Sequence, residues 1–165
     1  MLLAALMLVQ TAPCAAMDAS LPAPLAAWAT PGHGDPNDLT RPVTFVSLKP
    51  ADLDKIRQNP RKVVTIADAV QAIEASPREP AETGGTNEVG FRVDKAGVYG
   101  IALDQSGWID VTPEGGAPLV SVQHGHGPEC STIRKIVRFD LQPGAYRLTL
   151  TKLTRPQAKV MLIKD

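Results

Sequence analysis

The sequence has no excess of either charge, and this absence narrows the partners that the protein can have. Lys plus Arg and Asp plus Glu both count 17, which gives a formal net charge of +0. Nucleic acids and acidic membrane surfaces attract proteins through a strongly positive field. Because the charges are also interspersed along the chain, we expect neither kind of partner.

Long apolar runs are missing beyond the N-terminus, so we predict no transmembrane segment. Residues 1–9 are apolar and uncharged, which suits the apolar region of a signal peptide and is too short to span a bilayer. We predict a signal peptide over residues 1–16, with Cys14 and Ala16 at the key positions before the cut. The positively charged region that usually begins a signal peptide is missing, since no Lys or Arg precedes Arg41. The alternative interpretation of this apolar run is a buried N-terminal strand. The mature protein is then expected to be periplasmic or secreted.

Cysteine is also scarce, and the sequence has only Cys14 and Cys130. Whether both remain in the mature protein depends on where the signal peptide is cleaved. Cleavage after Ala16 removes Cys14 and leaves Cys130 as a single thiol. Cleavage further upstream leaves an even pair, for which a disulfide is the natural interpretation in an oxidising compartment. Lipidation of Cys14 is the third alternative.

Turn-forming residues are abundant instead, with 13 Gly and 15 Pro, and they favour short strands over long helices. We predict an extended N-terminal arm over 17–42, in which residues 25–28 form an apolar clip that packs on the domain, and a β-sandwich domain over 43–165. Short strands separated by turn signals indicate an all-β, antiparallel sandwich with jelly-roll or pre-peptidase-domain character. The predicted strands are 43–48, 91–94, 97–103, 108–111, 119–122, 136–141, 146–150 and 159–163.

Pairings follow from the turns between these strands. Residues 91–94 and 97–103 are predicted to form a hairpin around Lys95 and Ala96, and 108–111 is predicted to pair with 119–122. Two similar short motifs each lead from a turn into a strand that the tyrosine anchors. They are Ala96-Gly-Val-Tyr99 and Pro143-Gly-Ala-Tyr146. On 136–141, alternation places Val137, Phe139 and Leu141 inward and Arg138 and Asp140 outward.

The segment before these strands is less clear. Residues 52–58 predict one or two helical turns that end before Pro60. Residues 63–75 fit both a helical stripe and strand alternation, and we predict a strand. Residues 76–88 are predicted to form a loop.

The densest chemistry lies in His124-Gly-His-Gly-Pro-Glu-Cys130. On an extended segment, His124 and His126 point the same way, which favours half of a metal site. Glu129 and Cys130 complete a candidate ligand set for a transition metal such as Fe, Zn, Cu or Ni, and Gly125 and Gly127 would let the backbone close around an ion. A cupin-type enzyme needs a further His from a second motif, but no His follows His126. The structural alternative is a Gly-rich loop whose histidines cap the backbone and whose Cys130 is pinned by a disulfide.

Other candidates near this motif carry weaker signals. Arg134 and Lys135 follow it and either hold an anion or form a solvated turn. Trp108 is predicted to lie in the core, and Asp110 is predicted to be exposed. No Gly-x-Ser-x-Gly motif of a serine hydrolase accompanies Ser121 or Ser131.

Several phrases together resemble a set of short exported proteins of α-proteobacteria. The resemblance rests on residues 21–29, 96–103 and 107–111 and, above all, on His124-Gly-His-Gly-Pro-Glu-Cys-Ser131 followed by Ile133-Arg-Lys135. Some members carry the name homogentisate 1,2-dioxygenase, which implies a mononuclear iron enzyme that cleaves an aromatic ring with dioxygen. The resemblance implies an iron site at His124, His126 and Glu129, and a match of Cys14 to the set's N-terminal cysteine would favour the disulfide.

The sequence therefore predicts an exported, non-catalytic binding or accessory module. The candidate metal ligands are His124, His126, Glu129 and Cys130, and the partner is a protein or a small ligand. An iron-dependent aromatic-ring dioxygenase is the alternative function.

Overall fold

The computed structural model describes residues 14, 16–30, 38–46 and 87–165. These ranges contain one 3-10 helix, Ala23–Ala29, and eight β-strands, numbered here in chain order. The strands are β1 Val43–Val46, β2 Asn87–Val93, β3 Gly97–Leu103, β4 Trp108–Pro113, β5 Gln123–Gly125, β6 Lys135–Leu141, β7 Gly144–Thr151 and β8 Gln157–Lys164.

All strand pairs are antiparallel and fall into two sheets. One sheet has five strands in the order β1-β8-β3-β6-β5, and the other has three in the order β2-β7-β4. The predicted all-β antiparallel fold is confirmed, and the two sheets fit a sandwich. No helix among the described residues is long and apolar enough to span a bilayer.

The main core lies between the two sheets and follows the alternation of strand side chains. On β6, Val137, Phe139 and Leu141 are buried and Asp140 is exposed, as predicted. The other sheet contributes the inward residues of its three strands, including the stacked rings of Phe91 and Tyr146, whose centroids are 5.5 Å apart. This alternation buries one face of each strand against the opposite sheet.

The predicted hairpin around Lys95 is wrong, because β2 and β3 lie in different sheets. β2 pairs with β7 over its whole length, whereas β3 pairs with β6 and β8. The turn at Lys95 therefore carries the chain from one sheet to the other, and the turn at Gln142, between β6 and β7, does the same. A tight turn fixes a change of direction but does not choose between a partner in the same sheet and one in the opposite sheet.

Each of these two turns is fastened by the tyrosine that follows it. The Tyr99 hydroxyl donates to the carbonyl oxygen of Lys95 at 2.7 Å. The Tyr146 hydroxyl donates to the carbonyl oxygen of Gln142 at 2.8 Å and accepts from its N–H at 2.9 Å. The repeated turn-into-strand phrases thus have the predicted anchoring role, at the corners of the sandwich rather than in hairpins.

The predicted pairing of 108–111 with 119–122 is also wrong. β4 pairs with β7, and residues 119–122 form no strand. Leu119 N–H donates to the carbonyl oxygen of Val111 at 2.8 Å, but Val120 and Val122 are 89% and 57% exposed. The apolar alternation of this segment therefore does not bury a face.

Other strand boundaries shift slightly. Residues 87 and 88, predicted to end a loop, begin β2, and the strand predicted over 43–48 is described as Val43–Val46. The strands predicted over 146–150 and 159–163 are confirmed in β7 and β8. The predictions for 52–58 and 63–75, and for most of 76–88, lie outside the described residues.

The arm covers the outer face of the five-stranded sheet. Within 17–42, Ala23–Ala29 is a 3-10 helix rather than extended chain, and its Leu25 and Trp28 are buried at 5% and 0% exposure. They form a second apolar cluster with Ile133, which precedes β6, and with sheet residues that point away from the main core: Ala102, Ile136, Met161 and Ile163. The predicted apolar clip is therefore confirmed. Because the arm covers this second face, β3 is buried over five consecutive residues rather than alternating.

Candidate ligand-binding site

The predicted site residues follow one another along the open edge of the five-stranded sheet. His124 lies on β5, and His126 comes directly after it. Glu129 and Cys130 form a turn, in which Cys130 adopts a positive φ of 58°. His124, His126 and Glu129 are exposed, and Cys130 is half-buried.

Cys130 is not a metal ligand, because its sulfur is bonded to that of Cys14. A disulfide sulfur has no thiolate to offer a metal. Of the three predicted fates of Cys14, the structure contains the disulfide. A mature chain that begins after Ala16 could not contain this bond, and a lipidated Cys14 could not form it.

The remaining predicted ligands are not gathered into a metal site. Among the residues that the structure describes, no group of three His, Cys, Asp or Glu side chains is placed to hold one ion. The reason is local geometry. His124 and His126 share a strand-like segment, whereas Glu129 lies in the turn that follows it.

Gly127 is needed for packing rather than for closing the backbone around an ion. A Cβ at this position would overlap the carbonyl oxygen of Ile133 and lie 2.6 Å from that residue's Cβ. Gly125, in contrast, has no atom within 4 Å of a built Cβ. The loop folds back on residue 133, and only glycine fits there.

Contacts with the arm fix the end of the same loop. Asp18 accepts from Thr132 twice, from its N–H at 2.7 Å and from its hydroxyl at 2.6 Å. The Trp28 indole N–H donates to the Thr132 hydroxyl oxygen at 2.8 Å. The Ser131 hydroxyl closes the turn by donating to the carbonyl oxygen of Pro128 at 2.7 Å. With the disulfide to Cys14, these bonds attach the loop to the N-terminal part of the chain.

Both imidazoles line a cavity between β4 and β5, the edge strands of the two sheets. The cavity has a volume of about 580 Å³, within the range of small-molecule sites. Its lining has an apolar part, made by Ile109, Leu119, Val137 and Phe139, and a polar part, made by Ser106, Asp110, Ser121, His124, His126, Arg134 and Lys135, together with Gly107, Gly125 and Trp108.

Trp108 is the largest exposed apolar group of this cavity, contrary to the prediction that it lies in the core. Its side chain is 57% exposed, because alternation on β4 turns Ile109 and Val111 inward and Trp108 and Asp110 outward. The exposed position predicted for Asp110 is confirmed. The Lys152 ammonium group lies 5.4 Å from the Trp108 ring centroid, so the indole also meets a cation.

The two cations of the lining are placed differently. Lys135 Nζ donates to the carbonyl oxygen of Gly107 at 2.6 Å, and burial lowers the pKa of this amine from its usual value of 10.5. Arg134 is exposed, and its guanidinium pairs with no carboxylate in the described part of the chain. Its backbone is fixed, since its N–H donates to the carbonyl oxygen of Leu103 at 2.8 Å.

That same residue orients one imidazole. His126 Nδ1 lies 3.4 Å from the carbonyl oxygen of Arg134. Because a carbonyl oxygen only accepts, Nδ1 is the donor in this contact, and Nε2 is then the acceptor of the neutral ring. His126 can therefore accept a hydrogen bond or bind a cation through Nε2.

The chain matches no protein-family model, and no curated protein is similar enough to count as a relative. The resemblance to short exported proteins of α-proteobacteria therefore stays a prediction.

Proposed function

We propose that this chain is an exported, non-catalytic binding module whose ligand occupies the cavity between β4 and β5. The observation that carries the proposal is the combination, in one preformed cavity, of a buried apolar floor with a polar, partly cationic rim. Small-ligand sites are built this way, since the apolar part supplies affinity and a few polar groups fix orientation.

The floor and the rim have different sources. Val137 and Phe139, 8% and 1% exposed, belong to the core that the sandwich needs for stability. His124 and His126 contribute nothing to that core and are exposed. Imidazoles held at the mouth of an apolar cavity are suited to hydrogen bonding with a ligand.

Rigidity supports binding as well. The loop after β5 is held by the disulfide and by Asp18 and Thr132. A preformed site loses less conformational entropy when a ligand binds than a mobile one. An exported protein also meets the oxidising conditions in which such a disulfide persists, and the apolar residues 1–9 support export.

The proposal is non-catalytic because the cavity does not combine its groups into a nucleophile and a base. In the described residues, neither Ser106 nor Ser121 is hydrogen-bonded to an imidazole, and His126 contacts a backbone carbonyl. A hydrolytic site needs the hydroxyl and its base within hydrogen-bond reach.

A second candidate function is binding of a transition metal by the two imidazoles. The free Nε2 of His126 favours it, since a metal-bound His commonly donates its other ring N–H to a carbonyl oxygen. Fe, Zn, Cu and Ni all accept imidazole. The ring-cleaving dioxygenase needs a third ligand from the protein, and Glu129 is not placed with the histidines.

Quenching of Trp108 fluorescence tests the binding proposal. The chain has two tryptophans; Trp28 is fully buried and Trp108 is 57% exposed, so acrylamide reports mainly on Trp108. A panel of neutral sugars, sugar acids, aromatic acids and amino acids is added to the disulfide-containing protein. We expect at least one class to protect Trp108 in a saturable way, and no protection from any class contradicts a ligand site in this cavity.

Calorimetric titration with Zn²⁺, Ni²⁺, Cu²⁺ and Fe²⁺ tests the metal candidate separately. Wild type is compared with His124→Ala/His126→Ala. Micromolar binding that the double variant loses supports a two-imidazole site, and equal binding by both proteins removes it.

A further inference from the structure

The charges around the cavity do not match the neutral balance of the whole chain. The chain carries 17 residues of each sign. The cavity lining has Arg134 and Lys135 against Asp110 alone, and the Lys152 ammonium group lies beside the Trp108 ring. The charged side chains of the lining therefore give the cavity a local excess of positive charge.

Arg134 is the cation that is free to meet a ligand. Lys135 already donates to Gly107 and is partly buried, whereas the exposed Arg134 guanidinium has no carboxylate partner among the described residues. A guanidinium fork matches a carboxylate with two parallel hydrogen bonds. A single free fork fits one carboxylate better than a polyphosphate, which would need several cations.

Trp108, on the outward face of β4, supplies the second recognition element, an exposed flat apolar surface at the rim of the same cavity. Indole rings pack against flat faces and leave their edges for polar contacts. Ser106, Ser121 and the two imidazoles surround it, and all of them exchange hydrogen bonds with hydroxyl groups. A ligand that satisfies this lining has a flat carbon face, several hydroxyls and one carboxylate.

We propose that the cavity binds a carboxylated saccharide, with a sugar ring against Trp108 and its carboxylate on Arg134. This inference rests on the proposed binding function and names its ligand class. The cavity lies between two edge strands, so it is open at the surface of the sandwich. A saccharide unit of a longer chain can therefore enter without its ends being buried.

The test compares one ligand with and without its charge. Oligogalacturonate and its methyl ester, which has the same ring and hydroxyls but no carboxylate charge, are titrated calorimetrically into the disulfide-containing protein. We expect the acid to bind about tenfold or more tightly than the ester, the effect of one charge-assisted contact, and to lose that advantage at high salt.

Three variants locate the effect. Arg134→Gln should remove the preference for the acid, so that the variant binds acid and ester equally. Trp108→Ala should weaken both ligands, and circular dichroism checks that the change at this exposed position leaves the fold intact. Lys95→Gln, an exposed cation in a turn outside the cavity lining, should change neither.

The outcomes separate the inference from the proposed function. Equal binding of acid and ester, or an acid preference that survives Arg134→Gln, overturns the carboxylate assignment while a cavity ligand stands. Protection of Trp108 by an acidic peptide but by no saccharide overturns the ligand class. If nothing in the wider panel protects Trp108, the binding module itself is wrong.

Discussion

Asp18 binds both the N–H and the hydroxyl of Thr132, 114 residues further along the chain, at 2.7 and 2.6 Å. Its own N–H donates to the carbonyl oxygen of Cys130 at 2.8 Å. Thr132 also accepts from the Trp28 indole at 2.8 Å. The arm is thus attached to the end of the loop that begins with His124 and His126, so the arm and the candidate site share one set of contacts.

Removing the disulfide should loosen this attachment. We expect Cys14→Ser/Cys130→Ser to lower the free energy of unfolding by about 2–4 kcal/mol, since the bond closes a long loop in the unfolded chain. Urea denaturation followed by circular dichroism measures this. The reduced wild type should unfold like the double variant, and equal stability of oxidised wild type and double variant would contradict the structure.

Cleavage of the signal peptide should leave Cys14 on the mature chain. Cleavage after Ala16 would remove the partner of Cys130, to which Cys14 is bonded. Mass spectrometry of the exported protein, with and without reduction, should find a chain that includes Cys14 and has no free thiol. A mature chain that starts at residue 17 with a free Cys130 thiol would refute this prediction.

The two glycines of the histidine motif allow a matched comparison of alanine variants. Gly127→Ala should cost about 1–3 kcal/mol, because its Cβ would overlap the backbone of Ile133. Gly125→Ala should change stability by less than about 0.5 kcal/mol, because its Cβ faces open space. Thermal unfolding of both variants beside wild type measures the two stability changes. Similar changes at both positions would contradict the close contact of Gly127 with Ile133.

The two tryptophans provide a second pair. Trp28, in the 3-10 helix of the arm, is fully buried and binds Lys159, whose Nζ donates to its carbonyl oxygen at 2.6 Å and lies 4.5 Å from its ring centroid. Trp28→Ala should cost about 3–5 kcal/mol, and Trp108→Ala should cost less than about 1 kcal/mol. Chemical denaturation compares them, and a larger loss at Trp108 would contradict its exposed position.

Ionisation of Asp104 should make the free energy of unfolding depend on pH in the acidic range. Its carboxylate accepts from Arg155 at 2.9 Å and from the Lys159 N–H at 3.0 Å, but burial outweighs these contacts and raises its pKa above the usual 3.8. A carboxyl group whose pKa is raised on folding binds its proton more tightly in the native state. Its stabilising contribution is therefore complete below pH 3.8 and disappears as the pH rises through the native pKa.

The measurement uses Asp104→Asn, which keeps the side-chain shape and cannot ionise. The stability of wild type relative to this variant should fall as the pH rises above 3.8 and should level off once Asp104 is ionised in both states. A wild-type advantage that grows with pH across this window would mean that the Arg155 contact dominates over burial.

The candidate site was only partly predictable from its residues. The motif at His124 and His126 points to residues that line the cavity beside β5, and the pairing of Cys130 with Cys14 was one of the alternatives that the sequence left open. Trp108 was missed because a lone tryptophan at the start of a strand usually belongs to the core. The alternation with Ile109 and Val111 was the available signal, since it places Trp108 and Asp110 together on the opposite face.

The sequence by itself determined the local preferences of the chain: strands separated by Gly- and Pro-containing turns, the inward set of β6, the apolar clip of the arm, and tyrosines that fasten two turns. These depend on the period of side chains along a strand and on turn chemistry, which act over a few residues. Only the tertiary structure decided that β2 and β3 enter different sheets, which sheet residues the arm covers, and that Arg134 and Trp108 line one cavity. Pairing depends on contacts between residues far apart in sequence, and the alternation of a single strand does not specify its partner.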